Sequence, residues 1–168
     1  MNKAVFFDRD GVLNELVKRD GGCYSPREIS KFKIVQNSIE VTNYTKSKGY
    51  LNIVISNQPD IARGLLSESQ LDTITELLFD KYNIDDVFYC THDNNMCECR
   101  KPLPGLIYKA QSKWNIDLSK SLMIGDTWKD AEAAKNANVE FFLLNREYNK
   151  DYKCNNRINR IEDLLELI

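Results

Sequence analysis

Four short motifs along the chain carry the residue types that phosphoryl transfer requires. In chain order they are Phe7-Asp8-Arg9-Asp10-Gly11, Ser56-Asn57-Gln58, Arg100-Lys101-Pro102 and Gly125-Asp126-Thr127-Trp128-Lys129-Asp130. Carboxylates suit a hard divalent cation such as Mg²⁺. A hydroxyl and a lysine, here Ser56 and Lys101, can neutralise the oxygens of a phosphate as charge moves. The four motifs together predict a magnesium-dependent phosphoryl-transfer site.

An α/β fold is needed to bring these motifs together. Apolar runs typical of buried strands are Ala4–Phe7, Leu51–Ile55, Val87–Tyr89, Leu122–Ile124 and Phe141–Leu144. Segments of helical periodicity lie between and after them, at Ser38–Lys48, Ser67–Lys81, Pro104–Trp114, Lys129–Ala137 and Ile161–Leu167. Strands that alternate with helices predict right-handed βαβ units and a parallel sheet covered on both faces. We therefore expect a three-layer α/β/α, Rossmann-like, doubly wound sheet.

The motifs lie next to the predicted strand ends, where ligands of such sheets bind. Asp8 and Asp126 are the expected side-chain ligands of Mg²⁺, with a backbone carbonyl from Asp10. Asp10 is also expected to protonate the leaving oxygen and then to activate water. That role needs a raised pKa, which neighbouring carboxylates would produce. Any one motif alone is common in loops without a catalytic role, so the prediction depends on finding all four in this order.

A second group of candidate metal ligands surrounds the only histidine of the chain. Three of the five cysteines contribute to it, and the group is Cys90, His92, Cys97 and Cys99. Four sulfur and nitrogen ligands describe a structural, tetrahedral Zn²⁺ site. The alternative is a set of ordinary reduced thiols beside a surface histidine. Because Arg100 and Lys101 follow directly, zinc would hold the loop that carries the lysine. Cys23 and Cys154 are expected to be packing or surface thiols.

Length, composition and charge restrict the number of domains, the kinds of partner and the cellular compartment. A length of 168 residues, with 42% hydrophobic and 29% charged residues, predicts one domain over residues 1–168. The net charge of -2 and the pI near 5.5 argue against partners such as nucleic acid or anionic membranes. No apolar run is long enough to span a bilayer, and the N-terminal run is too short for a signal peptide. An odd number of cysteines favours a reducing compartment. We expect a cytoplasmic monomer.

The motif order from Asp8 to Asp130 resembles the haloacid dehalogenase superfamily of phosphohydrolases. The resemblance implies an aspartyl nucleophile, an acid/base aspartate, two phosphate-stabilising residues, three Mg²⁺ ligands and a supporting acid. At the matching positions the nucleophile is Asp8, the acid/base residue is Asp10, and the phosphate-stabilising residues are Ser56 and Lys101. The Mg²⁺ ligands are Asp8, Asp10 and Asp126, and the supporting acid is Asp130.

The cysteine motif narrows the resemblance to one branch of that superfamily. Cys-x-His…Cys-x-Cys-Arg-Lys-Pro with Asp-Arg-Asp-Gly is similar to the branch of heptose bisphosphate phosphatases and histidinol-phosphate phosphatases. Ser56-Asn57-Gln58 followed by Ile61-Ala62-Arg63-Gly64 is closer to the heptose enzymes, although Pro59-Asp60 and Thr127-Trp128-Lys129 depart from their pattern. The resemblance implies removal of the 7-phosphate of D-glycero-D-manno-heptose 1,7-bisphosphate for bacterial surface carbohydrate. Histidinol-phosphate phosphatase remains the alternative enzyme.

No insertion is long enough to form a cap domain, so loop residues must recognise the substrate. The candidates for substrate contact are Arg9, Asn57, Gln58, Arg63 and Arg100. Arg100 is the candidate for a second phosphate, because a guanidinium can donate to phosphate at two points. A solvated arginine or a partner of Glu98 is an equally open interpretation. A catalytically inactive, zinc-stabilised binding module is the alternative of another class. A nucleic-acid 3′-phosphatase is disfavoured by the acidic pI.

Overall fold

The five apolar runs form neighbouring strands of one sheet. A computed structural model describes residues 1–168, with strands β1 (Lys3–Phe7), β2 (Val17–Arg19), β3 (Gly22–Tyr24), β4 (Tyr50–Asn57), β5 (Asp86–Cys90), β6 (Leu122–Gly125), β7 (Glu140–Leu144) and β8 (Arg157–Ile158). The sheet has the order β5-β4-β1-β6-β7-β8, and every neighbouring pair is parallel. β2 and β3 pair separately as an antiparallel hairpin.

Helices cover both faces of this sheet, because its strands are apolar on both faces. The helices are α1 (Ser38–Ser47), α2 (Glu68–Lys81), α3 (Gly105–Trp114) and α4 (Trp128–Asn136). Ala4 and Phe6 of β1 belong to a core cluster with residues of α3 and α4, whereas Val5 and Phe7 belong to a cluster with residues of α1 and α2. Alternate residues of a strand point to opposite faces. The predicted three-layer α/β/α sheet is confirmed.

Helix ends follow the sequence signals closely. Ser67 caps α2 with a reciprocal pair of bonds, since its Oγ accepts from the backbone N–H of Gln70 at 3.1 Å and the Gln70 side chain accepts from the backbone N–H of Ser67 at 2.9 Å. Pro104 is the N-cap of α3 and not its first helical residue. The predicted helix Ile161–Leu167 is a 3₁₀ helix over Ile161–Glu166.

The β2–β3 hairpin and the strand β8 were not predicted. The β2–β3 hairpin turns at Asp20 and Gly21, both with positive φ, which is the Asp-Gly signal for a tight hairpin turn. β8 has only two residues and too little sequence to show a period. The hairpin matters for function because Gly21 to Ser25 line one side of the cavity described below.

Because all the strands of the sheet are parallel, their carboxyl ends share one edge. Phe7 pairs with Val54 on one side and with Ile124 on the other, so the ends of β1, β4 and β6 are adjacent. One sheet with a core on each face supports the prediction of a single domain, which remains a prediction. None of the helices has the length and apolar character needed to cross a bilayer.

Candidate active site and metal centres

The carboxyl edge of the sheet carries a cavity of about 460 Å³. Asp8 follows β1, Ser56 lies at the end of β4, and Asp126 follows β6. These three residues line the cavity together with Asp10 and Lys101. Residues separated by more than a hundred positions in sequence are therefore brought to one place, as the motif order predicts.

Lys101 is the central cation of the cavity. Its Nζ donates to Asp8 Oδ1 at 2.8 Å, to Asp130 Oδ1 at 2.6 Å and to the carbonyl of Ile55 at 3.0 Å. Only 3% of Lys101 is exposed, so its charge must be balanced locally. Burial opposes that charge, but the carboxylates of Asp130 and Asp8 outweigh it and raise the pKa of Lys101.

Three carboxylates converge beside this lysine. One carboxylate oxygen from each of Asp8, Asp126 and Asp130 lies within 4.8 Å of the others. Burial raises the pKa of Asp8 to about 7, with Asp130 and Asp10 adding to it and Lys101 opposing it. Burial and the charge of Asp8 also raise the pKa of Asp126. If all three carboxylates were ionised, their negative charge would exceed the positive charge of Lys101, and these raised pKa values are the consequence.

This donor set fits a magnesium ion. Asp126 Oδ1 is buried and has no hydrogen-bond partner, which leaves an oxygen without compensation. Oxygen ligands of this kind suit Mg²⁺, which also keeps several waters. Asp8 and Asp126 are the side chains that would hold the ion. Asp130 is less free, because Oδ1 binds Lys101 and Oδ2 accepts from the backbone N–H and the hydroxyl of Thr127.

Asp10 lies in a different environment from the one we expected. Its carboxylate accepts bonds from Arg9 (3.0 Å to each oxygen), Asn14 (3.0 Å), Ser25 (2.9 Å) and Gln58 (2.7 Å). Burial favours the neutral acid, but the Arg9 guanidinium and these hydrogen bonds outweigh it and lower the pKa of Asp10. The predicted raised pKa is therefore wrong. The sequence showed the nearby carboxylates but not the donors that face Asp10.

Two of the predicted substrate contacts do not reach the cavity. Arg9 is fully buried and binds Asp10, with its guanidinium over the ring of Tyr89. Gln58 is also buried, and its amide donates to Asp10 and, at 2.9 Å, to Ser56 Oγ. Both side chains position a catalytic candidate and are not open to a ligand in this structure.

The other three predicted contacts differ in position. Asn57 lines the cavity and forms two bonds with the main chain of Lys101, at 3.0 and 3.1 Å. Arg100 also lines it and donates to the carbonyl of His92 at 3.3 Å. Arg63 lies outside this cavity and forms salt bridges with Asp93 and Asp60. Arg100 is thus the predicted arginine that the structure places in the cleft.

Sequence reasoning missed several residues of the cleft. Tyr148 lines the cavity and donates its hydroxyl to Asp126 Oδ2. Asn149 donates to the carbonyl of Asp126 at 2.7 Å. Lys129 lines the cavity from the first turn of α4. Tyr148 and Asn149 lie outside every motif, so no sequence pattern pointed to them.

The cysteine and histidine cluster forms as predicted from the spacing. One ligand atom from each of its four residues lies within 4.8 Å of the others. The Sγ of Cys90 is 3.7 Å from His92 Nδ1 and 3.5 Å from the Sγ of Cys97, and the Sγ of Cys99 is 3.6 Å from His92 Nδ1. Ligands about 2.3 Å from a tetrahedral zinc ion stand roughly 3.8 Å apart. The arrangement is therefore compatible with Zn²⁺.

The loop that ends the cysteine cluster, at Glu98 and Cys99, packs directly on the helix that follows Lys101. A Cβ at Gly105, the first residue of α3, would lie 2.5 Å from the carbonyl oxygen of Glu98 and 2.7 Å from Cys99 Cα. Only glycine allows this approach. The loop of Cys99, Arg100 and Lys101 is thus held by the cysteine cluster on one side and by α3 on the other.

Comparison with known proteins identifies the family of this chain. A family model described as haloacid dehalogenase-like hydrolase matches residues 14–144. The chain belongs to this family. This hydrolase is 38% identical over 156 residues to the D-glycero-beta-D-manno-heptose-1,7-bisphosphate 7-phosphatase of Pasteurella multocida (strain Pm70), which covers 86% of this chain and 82% of that protein. The enzyme of the same name from Escherichia coli (strain K12) is 36% identical over 85% of this chain and 78% of its own length.

Solved structures show the same fold. A crystal structure of D,D-heptose 1,7-bisphosphate phosphatase from B. bronchiseptica, complexed with magnesium and phosphate, superposes on this hydrolase with a TM-score of 0.84. The two chains are 22% identical, and the match covers 98% of this chain and 97% of that one.

Magnesium should stabilise this hydrolase more strongly as pH rises. The raised pKa values of Asp8 and Asp126 mean that the metal-free fold favours their protonated forms, so it loses stability as pH rises through about 7. A divalent cation binds the ionised forms. The Mg²⁺-induced increase in unfolding temperature should therefore grow from about pH 5 to about pH 8. Scanning calorimetry measures it. Asp126→Asn should remove the increase, and an increase that is equal at all pH values would contradict the assignment.

Loss of zinc should destabilise the loop that carries Lys101. We expect about one bound zinc per chain, measured by elemental analysis. Cys97→Ser should remove the bound zinc and destabilise the fold by a few kcal/mol. Because 1 kcal/mol corresponds to about 2–4 °C in a domain of this size, the unfolding temperature should fall by roughly 5–15 °C. Cys154→Ser is the matched control, because this thiol lies outside the cluster. Wild-type stability and activity in a zinc-free protein would refute a supporting role for the metal.

Proposed function

We propose that this hydrolase is a magnesium-dependent phosphatase that removes the 7-phosphate of D-glycero-D-manno-heptose 1,7-bisphosphate through an aspartyl phosphate on Asp8. The relatives that match most of the chain carry this activity in their names. The observation that carries the proposal is the cavity itself, where Asp8, Lys101 and Asp126 meet beside Ser56. A role in bacterial surface carbohydrate synthesis, in the cytoplasm and as a monomer, accompanies this proposal.

Asp8 is the nucleophile in this proposal. Lys101 holds its Oδ1, and no protein group donates to Oδ2. Attack by Oδ2 forms a bond to phosphorus while the bond between phosphorus and the sugar oxygen breaks. Lys101 and the hydroxyl of Ser56 stabilise the charge on the transferred group. A magnesium ion bound by Asp8 and Asp126, with the Asp10 carbonyl, would neutralise the phosphate and remove its repulsion of the nucleophile.

Asp10 takes part in both proton transfers. Its lowered pKa makes it a carboxylate in the resting cleft, which suits the second step, where it accepts a proton from the water that attacks the aspartyl phosphate. In the first step it must donate a proton to the sugar oxygen. A phosphate ester with a second pKa near ~6 can bring that proton to the cleft as its monoanion.

Two cations in the cleft favour a bisphosphate over a monophosphate. Arg100 and Lys129 line the cavity, and neither has a carboxylate within salt-bridge distance. Burial and the adjacent Arg100 lower the pKa of Lys129, as expected for cations that repel each other. A second phosphate would relieve that repulsion. Histidinol phosphate has a single phosphate and a positively charged amine, so it fits this part of the cleft less well.

Phosphate release from a panel of phosphorylated compounds tests the activity. With Mg²⁺ present, the heptose 1,7-bisphosphate should give the highest kcat/KM. Asp8→Asn should reduce turnover by about 10³-fold or more, because no covalent intermediate can form, while the unfolding temperature is retained. Histidinol phosphate as the best substrate would replace the heptose proposal. Absence of turnover on every phosphomonoester would favour the binding module.

A comparison of KM for a bisphosphate and for a monophosphate tests whether Lys129 binds the second phosphate. Lys129→Gln should raise KM for the bisphosphate about 10- to 100-fold, since a hydrogen bond to a charged group contributes about 1.5–3 kcal/mol. KM for the corresponding 7-monophosphate should stay near the wild-type value. Lys135→Gln is the matched control on the same helix, where Lys135 is exposed and faces Glu132. Equal KM changes for both substrates would show that Lys129 does not bind the second phosphate, the one on C1.

A further inference from the structure

The segment Arg146–Asn149, which begins two residues after the end of β7, contacts two motif loops of the cleft. We call it the clamp segment. It includes a short 3₁₀ helix over Glu147–Asn149 and is closed on itself, since the backbone N–H of Arg146 donates to Asn149 Oδ1 at 3.0 Å. No motif of the sequence covers it, and the mechanism above does not use it.

The clamp segment holds the main chain of both aspartate loops. Arg146 donates to the carbonyl of Gly11 through Nη2 at 2.7 Å and through Nε at 3.2 Å. Asn149 is buried and donates to the carbonyl of Asp126 at 2.7 Å and to that of Leu144 at 2.9 Å. The loop after β1 and the loop after β6 are thus tied to one rigid turn.

The third contact of the clamp segment is made to a side chain. The Tyr148 hydroxyl donates to Asp126 Oδ2, while Oδ1 of the same carboxylate is buried without any donor. Gly11 packs closely against this hydrogen bond, since a Cβ at Gly11 would lie 2.0 Å from Asp126 Oδ2 and 2.9 Å from the Tyr148 hydroxyl. The carboxylate is therefore fixed in one orientation, with one oxygen satisfied and the other left for a cation.

We propose that Tyr148 is a positioning residue for the metal ligand Asp126, and that its hydroxyl sets the affinity of the cleft for its divalent cation. The proposal rests on the proposed function only in requiring a metal bound at Asp126. Groups that hydrogen-bond to a metal ligand hold its orientation, and their loss commonly costs 10- to 100-fold in affinity. Arg146 and Asn149 supply the fixed backbone from which the tyrosine acts.

Binding of Mn²⁺, followed by the electron paramagnetic resonance signal of the free ion, tests this without any substrate. Tyr148→Phe keeps the ring and removes only the hydroxyl. It should raise the dissociation constant for Mn²⁺ by about 10-fold or more, while the metal-free protein remains folded at the assay temperature. In the activity assay, the Mg²⁺ concentration for half-maximal rate should rise by a similar factor, with kcat at saturating Mg²⁺ near wild type.

Tyr108→Phe is the matched control. Tyr108 is 45% exposed against 47% for Tyr148, and its hydroxyl donates to the carbonyl of Asn136 on a surface away from the cavity. Unchanged or tighter Mn²⁺ binding by Tyr148→Phe would overturn the proposal. A rise in the KM for the sugar with unchanged Mn²⁺ affinity would also overturn it and make Tyr148 a substrate contact. Because Mn²⁺ binding needs no turnover, these outcomes are independent of which phosphate ester is hydrolysed.

Discussion

The cleft is organised around a charge imbalance at the buried edge of the sheet. Asp8, Asp126 and Asp130 converge there, and one buried lysine, Lys101, is the only cation that contacts them. Buried charges are expensive unless they are paired and hydrogen-bonded. Lys101 satisfies two of the carboxylates, and the third retains a buried oxygen without a donor. The fold therefore holds a set of oxygen donors that a divalent cation would complete.

The rest of the structure can be understood as support for this arrangement. Parallel strands bring Asp8 and Asp126 to the same edge, which fixes the positions of two carboxylates from distant parts of the chain. Lys101 comes from no strand and needs a separate anchor. The cysteine cluster supplies it from one side, and Asn57 supplies two bonds to its main chain from the other. A structural metal and a catalytic metal would thus be linked through two residues, Arg100 and Lys101.

The sequence predicted well those structural features whose residues repeat with a period or lie close together along the chain. Buried strands show as apolar runs, helices show as segments of helical periodicity, and the metal motifs show as spacing. What it did not predict are pairings between distant segments. The hydrogen bonds of Gln58 to Asp10 and of Tyr148 to Asp126 join residues 48 and 22 positions apart. Such pairs have no local pattern, because the fold alone makes them neighbours.

Asp8 and Asp10 show why residue type alone was insufficient to assign protonation states. They are two positions apart, yet burial raises the pKa of Asp8 to about 7, while Arg9 and three neutral donors outweigh burial and lower the pKa of Asp10. The first step of the proposed mechanism needs both groups in the opposite states, an ionised nucleophile and a protonated acid. A cation among the carboxylates stabilises the ionised form of Asp8. A negatively charged phosphoryl group beside Asp10 raises the pKa of its carboxyl. In the proposed mechanism, the reactive protonation states would arise in the loaded cleft, where a cation favours the ionised form of Asp8 and a phosphoryl group favours the protonated form of Asp10.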